Sequence, residues 1–200
     1  MSSSTSSGVA EPDRAARRRG RLVVAAIFAV CAIPLSAALV AYFFWPPSGR
    51  TNYGELIDPR PLPAVPLTLL DGGSFSLADL KGKWVMIQAD DTSCDAPCQA
   101  KLFRMRQVRL AQGRNMDRIE RVWLLLDPGR PSSEIAGLYA GAIVARAAPA
   151  LLAALPAADA RDHIYLVDPR GNLMLRFPKD ADPRRMIKDL ERLVRYSSIG

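Results

Sequence analysis

The chain has 200 residues, a net charge of +7, a pI near 9.7 and a hydrophobic content of 49%. That length allows one domain and an extension. The positive excess does not point to nucleic acid. Part of it lies in an N-terminal arginine run, and the rest is scattered among acids without the aromatic interleaving of a strand-binding face.

Residues 1–21 are rich in serine and arginine, ending in Arg14, Arg17, Arg18, Arg19 and Arg21. They hold little to bury, which predicts a disordered basic tail. Residues 22–44 carry no charge. As a helix that run would be roughly 35 Å long, enough to cross a hydrocarbon core of about 30 Å. Pro34 falls inside it, and Tyr42, Phe43, Phe44 and Trp45 gather at its end, where aromatic rings favour the interface. The expectation is a transmembrane helix over 22–45. A cleaved signal peptide is the rival reading, but the run is long for one and no small-residue cleavage site follows. The arginines ahead of the helix predict an inner-membrane anchor with a cytoplasmic N-terminus and a periplasmic C-terminal domain. Cys31, inside the apolar run, reads as a small apolar residue.

Prolines 46, 47, 59, 61, 63 and 66 predict an extended linker over 46–66. Beyond it, 67–70 and 74–75 read as two short strands around the turn Asp71-Gly72-Gly73. Residues 77–82 read as a helical turn closing at Gly82.

Residues 83–99, KWVMIQADDTSCDAPCQ, carry the chemistry. An apolar run of strand length, 84–89, leads through Asp90 and Asp91 to Cys94 and Cys98. The cysteines open a helix to about Gln112, with Leu102, Met105 and Val108 at helical spacing. A helix N-terminus favours an anion, and the thiolate is the form that attacks disulfides or binds soft metals. In an oxidising compartment a lone close pair is a disulfide, a redox couple or a metal site. Asp90 and Asp91 read as turn and capping residues.

Residues 121–127, RVWLLLD, read as a strand buried on both faces. A short helix follows from Ser132, then a strand over 142–147 and a helix over 149–155. Residues 164–167 and 172–177 form a hairpin across Asp168-Pro169-Arg170-Gly171. Asp182 caps a last helix with Met186, Ile187, Leu190, Leu193 and Val194 on one face. This order predicts an α/β domain over 67–196 with a mixed central sheet flanked by helices, plus one N-terminal transmembrane helix.

The segments GKWVMIQADDTSCDAPCQ, RVWLLLDP and DHIYLVDPRGNLMLRF, with the N-terminal anchor, resemble the Sco/SenC family of thioredoxin-like, membrane-anchored copper and redox proteins. The resemblance implies a thioredoxin-like domain that binds copper through Cys94, Cys98 and His163. It also implies a role in assembling cytochrome c oxidase, with the apo copper subunit or another assembly factor as partner. Two thiolates and an imidazole suit copper in both common oxidation states. This chain departs from the pattern at its histidine: the family position falls near Ala160. Its acids near Cys94 would also oppose a thiolate.

Three functions follow. The first is a copper-delivery factor for the oxidase, using Cys94, Cys98 and His163. The second is a metal-independent thiol–disulfide oxidoreductase, in which Cys94 attacks as the more exposed thiolate and Cys98 resolves. The third is an assembly protein that keeps the fold without the chemistry. A peroxidase fits poorly, because the surroundings of the cysteines are acidic.

Overall fold

The computed structural model describes residues 14–44 and 52–197, with side chains from Arg17 onward. The chain divides into two units, Met1–Arg50 and Thr51–Gly200.

The first unit contains one helix, α1 (Arg14–Phe44), with Pro34 inside it. The helix is long and apolar enough over Arg17–Phe44 to cross a membrane. Its start at Arg14 precedes the expected start at Leu22, so arginines placed in the tail continue the helix. Arginine is a good helix former, and an apolar helix already nucleated extends into it at little cost. Residues 1–13 of the expected disordered tail over 1–21 and residues 46–51 of the expected linker over 46–66 lie outside the described residues.

The second unit is built on a six-stranded sheet in the order β1-β8-β7-β4-β5-β6. Its strands are β1 (Glu55–Pro61), β4 (Trp84–Asp90), β5 (Ile119–Leu125), β6 (Ile143–Arg146), β7 (Ile164–Val167) and β8 (Asn172–Phe177). β4–β5 and β5–β6 run parallel, and the other three pairs are antiparallel. A small hairpin, β2 (Leu67–Thr68) with β3 (Ser74–Phe75), forms a second sheet, and Leu69 beside it bridges to Ala145 of β6. The helices are α2 (Ala96–Ala111), α3 (Ala136–Tyr139), α4 (Pro149–Ala154) and α5 (Pro183–Tyr196).

Here the expected linker is corrected. Residues 55–61 are an edge strand on β8, with a register shift between Leu56 and Arg60. Pro59 and Pro61 lack an N–H donor, and a sheet edge is where a strand tolerates that loss. The entry to β1 is fixed. The backbone N–H groups of Tyr53 and Gly54 donate to Asp189 Oδ2 of α5 at 2.7 and 2.9 Å. A Cβ at Gly54 would come within 2.4 Å of the Leu175 side chain.

Alternation along the strands splits the core between the two sheet faces. Val85, Ile87, Ala89, Val122, Leu124, Tyr165 and Val167 pack on one side with Leu151 and Leu155. Trp84, Met86, Ile164 and Leu166 pack on the other with Met105 and Val108 of α2 and Leu190 and Val194 of α5. Trp123 and Leu125 extend that second face toward Cys94, Cys98 and Leu102.

Candidate functional site

The central strand β4 is buried along its whole length and ends at Asp90. The loop that follows is tied to the exit of β5. Thr92 donates its N–H to Asp127 Oδ1 at 3.0 Å and its hydroxyl to Oδ2 at 2.7 Å. These bonds hold the Asp127 carboxyl below the usual carboxylate range. Asp95 caps α2 by accepting from the Cys98 N–H at 3.1 Å, and Pro97 stands in the first turn. Cys94 lies in the left-handed region at φ 39, which a residue with a side chain adopts at a cost. Its carbonyl accepts from the Gln99 side chain at 2.9 Å.

Cys94 and Cys98 are joined in a disulfide, with Cα atoms 5.1 Å apart. They are 2% and 1% exposed, so Cys94 is barely the more exposed of the two and neither sulfur stands open to solvent. The sulfurs pack with Trp123 and Leu125, while Ser93, Asp95, Ala96 and Pro97 are exposed around them. Both cysteines nevertheless line a cleft of about 200 Å³, together with Asp90, Asp91, Arg161 and Lys179.

Two buried polar side chains belong to this site. Gln88 donates to Cys98 Sγ at 3.5 Å. Lys101, one helical turn beyond Cys98, places Nζ 2.7 Å from Asp90 Oδ2, with both side chains almost inaccessible. Burial pushes the Asp90 carboxyl up to about 6, against the opposing pull of Lys101. Lys101 also donates to the Arg161 carbonyl. The Arg161 guanidinium in turn pairs with Asp91. Lys179 and Asp162 close the rim with a 2.9 Å ion pair.

His163 is not brought to the cysteines. Its Nδ1 lies 2.9 Å from the Phe177 carbonyl, and its ring meets Tyr165 edge-on at 6.1 Å. Tyr165 belongs to the core on the face opposite Cys94 and Cys98. His163 immediately precedes β7, and its two contacts keep it beside Tyr165 and the start of that strand. Ala160 lines the cleft instead. Among the described residues no group of three His, Cys, Asp or Glu side chains is placed to hold a metal ion. Sequence reasoning passed over Gln88, Lys101, Arg161 and Lys179. The first two carried a signal: Gln88 interrupts an apolar strand, and Lys101 shares the helix face of Cys98, Leu102 and Met105.

The model of the transmembrane-like, thioredoxin-like, C-terminal domain family matches residues 84–197. The chain belongs to that family. This thioredoxin-like domain, with its mixed sheet and flanking helices, is the fold class expected from sequence. Its solved neighbours include Sco proteins. ScoI of Bradyrhizobium japonicum, solved with copper bound, is similar at 22% identity and a TM-score of 0.52, over 66% of this chain and 99% of that one. The thioredoxin domain of a thiol-disulfide oxidoreductase from Bacteroides vulgatus is similar at 19% identity and a TM-score of 0.50, over 70% and 99%. BsSco, a member of the Sco family of cytochrome c oxidase assembly proteins in which a disulfide switch was identified, is similar at 15% identity and a TM-score of 0.51, over 72% and 99%. At these identities the likeness is one of fold. No curated protein matches the chain.

Proposed function

We propose that this thioredoxin-like protein is a membrane-anchored redox factor in the assembly of a copper-containing respiratory oxidase. Its working group is the Cys94–Cys98 pair, which exchanges thiol and disulfide with cysteines of a client. What supports this reading is a disulfide at the head of α2, lining a cleft, while His163 Nδ1 lies 2.9 Å from the Phe177 carbonyl and its ring meets Tyr165.

The exchange balances as follows. A client thiolate attacks Cys94 sulfur, and Cys98 leaves as a thiolate. A second client thiol displaces Cys94, so the client gains a disulfide while both site sulfurs end as thiols. The reverse direction reduces a client disulfide, and the relative potentials set the direction. Cys98 is the better leaving group because the N-terminus of α2 and the Gln88 amide both favour negative charge on its sulfur. Because both sulfurs are nearly inaccessible, attack requires the 91–95 loop to open first.

Copper carriage is the second reading, favoured by the likeness to copper-bound ScoI. Copper would be cargo, and reduced Cys94 and Cys98 would offer it two soft thiolate donors. His163 as third ligand would require its ring to leave the Phe177 carbonyl. The anchor supports an inner-membrane location, with the arginines of α1 on the cytoplasmic side and the domain in the periplasm.

The test compares full-length protein with Cys94→Ser, Cys98→Ser and His163→Ala. Disulfide exchange with a model dithiol, Cu(I) uptake after reduction and oxidase assembly are read together. The cysteine variants lose exchange and fail to support assembly, while His163→Ala keeps both. Oxidase assembly unimpaired by loss of both cysteines would overturn the redox reading. Cu(I) uptake lost in His163→Ala would restore the histidine as a ligand.

A further inference from the structure

α5 is strongly one-sided. Met186, Asp189, Leu190 and Val194 are buried against the sheet. The opposite face exposes Arg184, Arg185, Lys188, Arg192 and Arg195, with Glu191 the one acid among them. Glu191 pairs with Arg195 at 3.5 Å. At 100° per residue these positions fall within one continuous sector of the helix. The sector remains strongly basic after that pair is counted.

The same helix receives the chain that comes from α1. Besides the two bonds from Tyr53 and Gly54 to Asp189, the Tyr53 hydroxyl accepts from the Asp182 N–H at 3.0 Å. The Arg185 guanidinium stacks 4.0 Å over the Tyr53 ring. The connecting chain from Phe44 to Tyr53 can span about 30 Å at most when fully extended.

We propose that the basic face of α5 docks on the anionic headgroups of the bilayer that holds α1. The proposal rests on the membrane-anchor reading, not on the redox reading. Charge complementarity identifies the occupant: a helix face of clustered Lys and Arg binds an anionic lipid surface. The short attachment on α5 favours the bilayer over a soluble acidic protein. Docking fixes one side of the domain to the lipid, which presents the cysteine cleft to clients in a constant orientation.

Neutron reflectometry of the full chain in supported bilayers tests this. Phosphatidylcholine alone is compared with phosphatidylcholine containing about 30 mol% phosphatidylglycerol. On the anionic bilayer the water layer between lipid and domain closes, and it reopens in about 1 M salt, where the Debye length falls to about 3 Å. The combined variant Arg184→Gln, Lys188→Gln and Arg195→Gln keeps its far-UV circular dichroism and disulfide exchange but leaves the water layer open. Equal water layers on the two bilayers, or closure by the variant, would overturn the proposal. So would a variant that impairs oxidase assembly with no lipid-dependent closure in the parent, which would assign the face to an acidic protein. Absence of any bilayer-held layer would instead remove the anchor reading itself.

Discussion

Lys101 Nζ lies 2.7 Å from Asp90 Oδ2 at a point where both side chains are almost wholly buried. The pair joins the end of the central strand to the second turn of the cysteine helix. Removing one member leaves an uncompensated buried charge, which costs about 3–5 kcal/mol. Lys101→Met therefore destabilises the domain by several kcal/mol in urea unfolding followed by tryptophan fluorescence. Lys101→Met combined with Asp90→Asn recovers most of that loss, because no charge is then stranded. Additive effects of the two changes would show that the pair is not coupled.

Asp90 also gives stability a pH dependence. Its carboxyl is raised from 3.8 in the free residue to about 6 in the fold, chiefly by burial. Between those values the folded state binds the proton more tightly than the unfolded chain does. The contribution of this group is therefore fully present below the lower value and is lost as pH rises through the upper one. Subtracting the unfolding free energies of Asp90→Asn from those of the parent at several pH values isolates the effect. The difference falls as pH rises across that window. A flat difference would contradict the assignment.

Gln88 tunes the cysteine pair through its 3.5 Å contact with Cys98 Sγ. A thiolate accepts a hydrogen bond better than a disulfide sulfur does, so the contact favours the reduced form. Gln88→Leu lowers the reduction potential by up to about 30 mV, equivalent to about 1.4 kcal/mol for two electrons. Equilibration with glutathione buffers measures it. An unchanged or raised potential would remove Gln88 from that role.

Thr92→Val removes the hydroxyl bond to Asp127 and leaves the backbone bond. Asp127 is held low first by that hydroxyl, so its carboxyl titrates at higher pH in the variant, as carbon NMR would detect. The loop that carries Cys94 loses one of its two hydrogen bonds to Asp127. Disulfide exchange accelerates if loop opening limits attack. An unaltered Asp127 titration would show that the hydroxyl bond does not set it.

The strands of the central sheet were legible because their apolar runs are long and bounded by turns: 84–89, 121–127 and 164–167 each fall on an observed strand. The cysteine helix was legible from its apolar spacing and its cap. β1 was not, because prolines dominate its composition and its pairing with β8 is a tertiary fact. Within the site, the closeness of Cys94 and Cys98 followed from their spacing. Their burial did not, since Trp123 and Leu125 come from a strand more than twenty residues away. The contacts of His163 turned on where β7 begins, at Ile164, which a sequence alone leaves open by a residue or two.

The two margins of the sheet are unequal in kind and alike in effect. On one side β1 carries prolines at 59 and 61, which supply no N–H to an incoming strand. On the other, β6 is only four residues long. A foreign strand that seeks an open sheet edge therefore finds a poor template at either border.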